Sequence, residues 1–214
     1  MDSVDADRWQ RGWAIIIMGM AGSEKLPMAI LLAAGAGSRF GGGKLLHPLD
    51  DGVAIAAHAA RNLIAAGLEV TAVIRPGDFP LRELLEQEGC SVTVCSDAAL
   101  GMGVSLSHGV RMTHDAAGWI VALADMPRIR PDTIARVVQV LMAGADIVAP
   151  AYQGDCGHPV AFGRRFLHEL QLLGGDSGAR AIVQRNQALV KLVDGDDPGV
   201  LLDIDRRDDL ARSA

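Results

Sequence analysis

The sequence has no excess of positive charge: 20 Lys and Arg against 26 Asp and Glu leave it at −6, with a pI near 5.4. Its basic residues are scattered, so it lacks the clustered cationic face on which sequence-independent nucleic-acid binding depends. It also lacks paired cysteines. Cys90, Cys95 and Cys156 are odd in number and have no metal-finger spacing, so they read as buried, reduced thiols of a cytoplasmic protein. The apolar run near the N-terminus, residues 14–20, is too short to span a bilayer, which needs about 20 residues. Aspartates precede it and no convincing cleavage site follows, unlike a cationic signal peptide. Residues 1–27 are therefore expected to form a poorly ordered extension. No repeat, low-complexity run or linker is present. With 214 residues, half of them hydrophobic, the chain can bury one full core, expected over residues 28–214 as a single α/β domain.

What is present is organised around residues 28–46, where an apolar run breaks into glycines carrying one arginine and one lysine. The run predicts a strand buried on both faces. Beyond it, Gly35, Gly37 and Gly41 let backbone amides turn towards a phosphate where a β-carbon would obstruct them, and Arg39 and Lys44 add fixed positive charge. A dinucleotide fingerprint starting at Gly35 fails, because Phe40 replaces its third glycine and the next strand runs into Arg75 and Pro76 rather than an acid. A Walker A loop ending at Lys44 fails as well, with Ser38 in place of its first glycine and Leu45 in place of its hydroxyl. The spacing from Leu32 through Ala33, Ala34, Gly35, Gly37 and Ser38 to Arg39 and Lys44 instead resembles the nucleotidyltransferases that activate sugars, isoprenoid alcohols and pterins.

Strand and helix patterns then alternate. Helices are expected over 53–66, 81–88, 103–112 and 131–143, and strands over 69–74, 91–95, 119–124 and 146–150, which implies a mostly parallel sheet. Residues 152–162, with two glycines and a proline, read as a hairpin or excursion. Helices over 164–172 and 177–186, strands over 189–192 and 200–202, and a terminal helix from 208 complete the expectation.

In such a sheet, ligands lie beyond the carboxyl ends of the strands. Asp97, Gly103 and Ser105 stand where the third strand gives way to a helix N-terminus able to receive a base or ribose. Asp125 follows a buried strand and precedes Pro127. It is either a turn cap or a hard oxygen ligand for Mg²⁺. Because residues 131–133 carry their own capping groups, the metal role is preferred. Alternation places Asp203 and Asp205 on one face, as further metal ligands or as a solvated edge. A lone His158 in a turn is more often structural than catalytic. Asp176 offers a helix cap, and Arg180, in a first helical turn, is unfavourably placed for the helix dipole and so available to an anion.

Taken in order, these motifs resemble the molybdenum cofactor cytidylyltransferases of the MobA-like nucleotidyltransferase family, across nearly all of residues 28–210. The resemblance implies a three-layer Rossmann-like fold with a mostly parallel mixed sheet. It further implies CTP bound at the glycine loop, Mg²⁺ held by Asp125 with Asp203 as best second match and Asp205 next, and no nucleic acid or membrane partner. A molybdopterin-type substrate is expected at the region after Pro150, with His158, Asp176 and Arg180 as its candidate contacts, and a molybdoenzyme as recipient of the product. Arg39, Lys44 and Asp125 are the expected catalytic residues. Ala34 resembles the pyrimidine users, whereas GTP users carry an extra glycine there. Two rival readings stay open: guanylyl or other nucleotidyl transfer to a different small phosphate, and a nucleotide-binding accessory protein without turnover. At 206–207 two arginines depart from the family pattern.

Overall fold

A computed structural model describes residues 25–210; the expected extension, apart from its last three residues, lies outside them. Eight strands form one sheet: β1 (Met28–Leu32), β2 (Val70–Ile74), β3 (Ser91–Val94), β4 (Gly118–Leu123), β5 (Ile147–Tyr152), β6 (Asp155–Cys156), β7 (Val160–Gly163) and β8 (Val190–Gly195). Their order is β3-β2-β1-β4-β7-β5-β6, with β8 also paired to β5. The pairs β1–β2, β1–β4, β2–β3 and β5–β8 are parallel, while β7 runs antiparallel to both β4 and β5.

The helices are α1 (Ile55–Ala65), α2 (Phe79–Gln87), α3 (Met102–Met112), α4 (Pro131–Met142), α5 (Leu167–Gln171) and α6 (Arg180–Arg185). Alternation along β1 assigns them to layers. Ala29 and Leu31 share a core with Leu63 of α1, Leu85 of α2 and Val137 of α4. Ile30 belongs to a second core with Leu106 of α3, Leu170 of α5 and Ile182 of α6. Both faces of the strand are thus dry, which is why its sequence is apolar throughout. Each Leu or Ile so buried contributes roughly 1.5–3 kcal/mol. The result is the three-layer mixed α/β sandwich expected from the sequence.

Several local expectations are corrected. The helix expected over 164–172 is split: Arg164–Phe166 is a 3₁₀ turn, in which Arg164 donates to the carbonyls of His114 and Ala116 and lies over the Trp119 ring, and α5 follows. The helix expected from 177 begins only at Arg180, because Gly178 has φ +51°, a left-handed conformation that an α-helix cannot hold. The strand expected over 200–202 is instead part of a 3₁₀ turn, Pro198–Leu201, whose N-cap Asp197 accepts from the Gly199 amide. Only a 3₁₀ turn, Arg207–Asp209, stands at the start of the expected terminal helix. Cys90 and Cys95 are buried free thiols, but Cys156 is exposed, since it lies on the short outer strand β6. Among the described residues no helix is long and apolar enough to cross a membrane.

Candidate active site

Two neighbouring strand ends build the site. The amide of Ala33 donates to Val73 and that of Ala124 to Leu32, so the chain leaves β1 and β4 side by side. The glycine loop then turns at Gly37, Gly41, Gly42 and Gly43, all with positive φ, and returns Lys44 to the sheet. Its ammonium stands 2.7 Å from Asp125 Oδ2 and 3.5 Å from Asp205 Oδ1, with the lysine side chain only 10% exposed. Arg39 Nη1 closes the cluster from outside, 2.9 Å from Asp205 Oδ2. Asp125 caps no helix. Nor do residues 131–133 cap α4 with their side chains, contrary to expectation: the N-cap residue Arg130 instead donates its amide to Asp197 Oδ2.

The segment carrying Asp203 and Asp205 is fastened by main-chain contacts. The Ile204 amide donates to the Asp125 carbonyl and the His158 amide to Val200. Ile204 is buried against Phe40 and Ile55, and Arg207 stacks over the Phe40 ring. Phe40, whose presence rules out a dinucleotide loop, therefore anchors the glycine loop to the second acidic segment. Asp203 is exposed on one side. Partial burial, followed by the charges of Asp205 and Asp125, raises its carboxyl above the usual range, and Lys44 opposes this.

A cleft of about 520 Å³ opens at these strand ends. Leu32, Ala34, Gly35, Gly37, Lys44, Ser105, Asp125 and Asp176 line it. So do Ser96, which precedes Asp97 at the same strand end, and Arg75, which sequence reasoning did not select although it too follows a strand. Ala33 is buried, Arg39 stands in the ion-pair cluster, and Ser38 and Asp97 do not line the cleft. Gly103 lies behind the cleft wall, where its amide donates to the Gly175 carbonyl. A β-carbon at Gly101 would meet Gly175 O at 2.4 Å and Asp176 Oδ1 at 2.5 Å, so glycine lets the 174–178 loop dock on the start of α3. That docking carries Asp176 to the cleft. Arg180 is exposed and outside the lining. His158 is largely buried, and its Nδ1 has no partner. Desolvation lowers its pKa, with a Val121 backbone hydrogen bond and the charges of Asp125 and Asp203 opposing.

The donor set suits a hard divalent cation. Two carboxylates, those of Asp125 and Asp205, converge on one ammonium, a position where positive charge is already accommodated, and the Asp203 carboxylate lies near enough to feel its charge. Among the described residues no group of three or more acidic, histidine or cysteine side chains forms a ready cage. Mg²⁺ needs none, because it retains waters and substrate phosphate oxygens and takes one or two carboxylates.

A glycine loop returning a lysine opposite a carboxylate, at the carboxyl ends of parallel strands, defines the class as an α/β nucleotide-handling domain. The chain belongs to the MobA-like NTP transferase family, whose domain model matches residues 29–190. It is therefore a member of a nucleotidyltransferase family. It is 28% identical over 189 residues to the purine catabolism protein PucB of Bacillus subtilis, covering 83% of this chain and 91% of that protein. It is 29% identical over 203 residues to the nicotine blue oxidoreductase of Paenarthrobacter nicotinovorans, covering 89% and 98%. Among solved structures, Rv0371c of Mycobacterium tuberculosis superposes with a TM-score of 0.78 at 28% identity, over 88% of this chain and 97% of the other. A manganese complex of Rv0371c superposes at 0.74, also at 28% identity, over 87% and 97%.

Proposed function

We propose that this protein is an Mg²⁺-dependent cytidylyltransferase of the cytoplasm, transferring CMP from CTP to the phosphate of a molybdopterin-type cofactor for delivery to a molybdoenzyme. The observation that carries the reading is the placement of Lys44 between Asp125 and Asp205, at the mouth of a glycine-lined cleft. In the reaction, an oxygen of the acceptor phosphate bonds to the α-phosphorus of CTP. The bond from that phosphorus to the α–β bridging oxygen breaks, and pyrophosphate leaves. Such a transfer needs positioning and charge neutralisation rather than a protein nucleophile.

The loop amides and Lys44 bind the triphosphate, with Arg39 meeting its outer end. Asp125 holds Mg²⁺ together with Asp203 or Asp205, and the bound ion supplies Lewis-acid neutralisation of the phosphates. Ala34 narrows the strand end towards a pyrimidine. His158, largely buried beside β7, would meet the acceptor only where its unpartnered Nδ1 is uncovered. Asp176 meets the cleft rather than the region after Pro150, which draws it towards the nucleotide.

One relative is named as an oxidoreductase, so a redox reaction is the rival to exclude. The failed dinucleotide fingerprint favours transfer. Pyrophosphate release should be followed with CTP or GTP, Mg²⁺ and molybdenum cofactor, beside NADPH oxidation in the same mixture. Release with CTP that requires the acceptor supports the proposal. NADPH consumption without pyrophosphate refutes it, and nucleotide binding without either reaction would indicate an accessory protein.

A further inference from the structure

We propose that Lys44 is the place-holding cation of the acidic site, so that divalent metal gains full access to Asp125 only after a nucleoside triphosphate draws the ammonium away. This rests on the reading that Asp125 is a metal ligand. It adds that one side chain couples the two binding events.

The geometry makes the two cations competitors. Lys44 Nζ lies at hydrogen-bond distance from Asp125 Oδ2 and a little farther from Asp205 Oδ1, at 2.7 and 3.5 Å. A divalent ion reaching Asp125 would stand against a full positive charge at contact range. The lysine is held there by the acids: Asp125 and Asp205 are its only ion-pair partners among the described residues. It also has an exit. Lys44 lines the cleft beside Gly35 and Gly37, so rotation of its side chain alone can carry the ammonium from the carboxylates towards the glycine loop.

A triphosphate entering along the glycine loop offers the ammonium several anionic oxygens in exchange for one carboxylate. As Lys44 turns to them, Asp125 and Asp205 lose their neutralising partner and become stronger ligands. Arg39, paired to Asp205 and 72% exposed, is free to follow. Linkage requires reciprocity: metal on Asp125 pushes Lys44 towards the phosphates and tightens the nucleotide by the same factor.

Removing Lys44, a cation that helps bind nucleotide, should therefore improve metal binding when nucleotide is absent. Free Mn²⁺ should be measured by electron paramagnetic resonance while nucleotide-free wild type, Lys44→Met, Asp125→Asn and the double variant are titrated. Lys44→Met should bind Mn²⁺ at least about fivefold more tightly than wild type, the lower end of ordinary coupling factors. Asp125→Asn should cancel that gain in the double variant. Lys44→Gln, which keeps a donor for Asp125 without the charge, gives the same reading if the methionine variant does not fold. Unchanged or weaker Mn²⁺ binding in the lysine variants, with Asp125→Asn still weakening it, overturns the place-holder role alone. Mn²⁺ binding that stays equally tight when Asp125→Asn is added to the Lys44 variant overturns the metal assignment and this inference together.

Discussion

Asp197 is the residue whose loss should reach furthest beyond its own contacts. It is 2% exposed, yet it carries a carboxylate. Oδ1 accepts from the Gly199 amide at 3.0 Å and Oδ2 from the Arg130 amide at 2.8 Å, tying the turn before Asp203 to the start of α4. A hydrogen bond to a charged group contributes about 1.5–3 kcal/mol. Asp197→Ala removes two of them and leaves one buried and one part-buried amide without partners, so the expected loss is about 3–5 kcal/mol, in the range found when one side of a buried charged contact is deleted. The ion pair to Arg130 adds little, at 3.6 Å with the arginine 44% exposed. Asp197→Asn keeps one oxygen acceptor but turns an amide donor on the second N–H, so about half the loss is expected. Urea unfolding followed by circular dichroism tests this: the midpoint should fall with the slope unchanged. Because the turn positions the 203–205 segment, Mn²⁺ affinity of the folded variant should fall too. A stability loss below about 1 kcal/mol in Asp197→Ala, with Mn²⁺ binding retained, would refute the reasoning.

Asp125→Asn should abolish transfer while changing the melting temperature by only a few degrees, because it deletes one ligand charge but nearly conserves shape; near-normal turnover at saturating Mg²⁺ would sink the assignment. CTP should outcompete GTP about tenfold or more in transfer, a single methyl being worth roughly 1–3 kcal/mol, and Ala34→Gly should narrow the gap; competition at equal concentrations decides, and a wild-type preference for GTP refutes the cytidylyl reading. His158 titrates below its ordinary 6.5 because burial disfavours its charged form. The unfolded chain therefore takes up the proton first, and stability should fall as pH drops below 6.5. His158→Asn should flatten that slope in melting curves recorded from pH 7.5 to 5, and an identical slope would show that another group titrates.

The loop and the strands around it were legible because their cause is local. An apolar pentad buried on both faces, followed by glycines and a lysine, has few other ways to fold, and Asp125 stood out as a carboxylate ending a buried run. Where reading failed, the cause lay far off in sequence. Residues 200–202 look like a strand until Asp197 pulls the Gly199 amide into a turn, an arrangement whose second partner is Arg130. Nothing near 152–162 tells that β7 inserts between β4 and β5. The docking of Gly174 and Gly175 on Gly101 and Gly103 joins two glycine pairs some seventy residues apart, and either pair alone reads as a loop. Arg75 was visible at its strand end, but only the cleft gives it a role. Cys156 failed for the converse reason, since an edge strand of two residues leaves no local mark of exposure.

The route of the chain has a consequence for how the protein is made. Lys44 and Asp125 are separated by 81 positions, and the segment bearing Asp203 and Asp205 follows every strand of the sheet. During synthesis the glycine loop and Asp125 therefore leave the ribosome well before the last acids, and the strands that carry them can pair before the 203–205 segment docks. The final event is the latching of Ile204 onto the Asp125 carbonyl and against Phe40. A released chain truncated just after β8 would own a nucleotide cleft and only one of its three carboxylates.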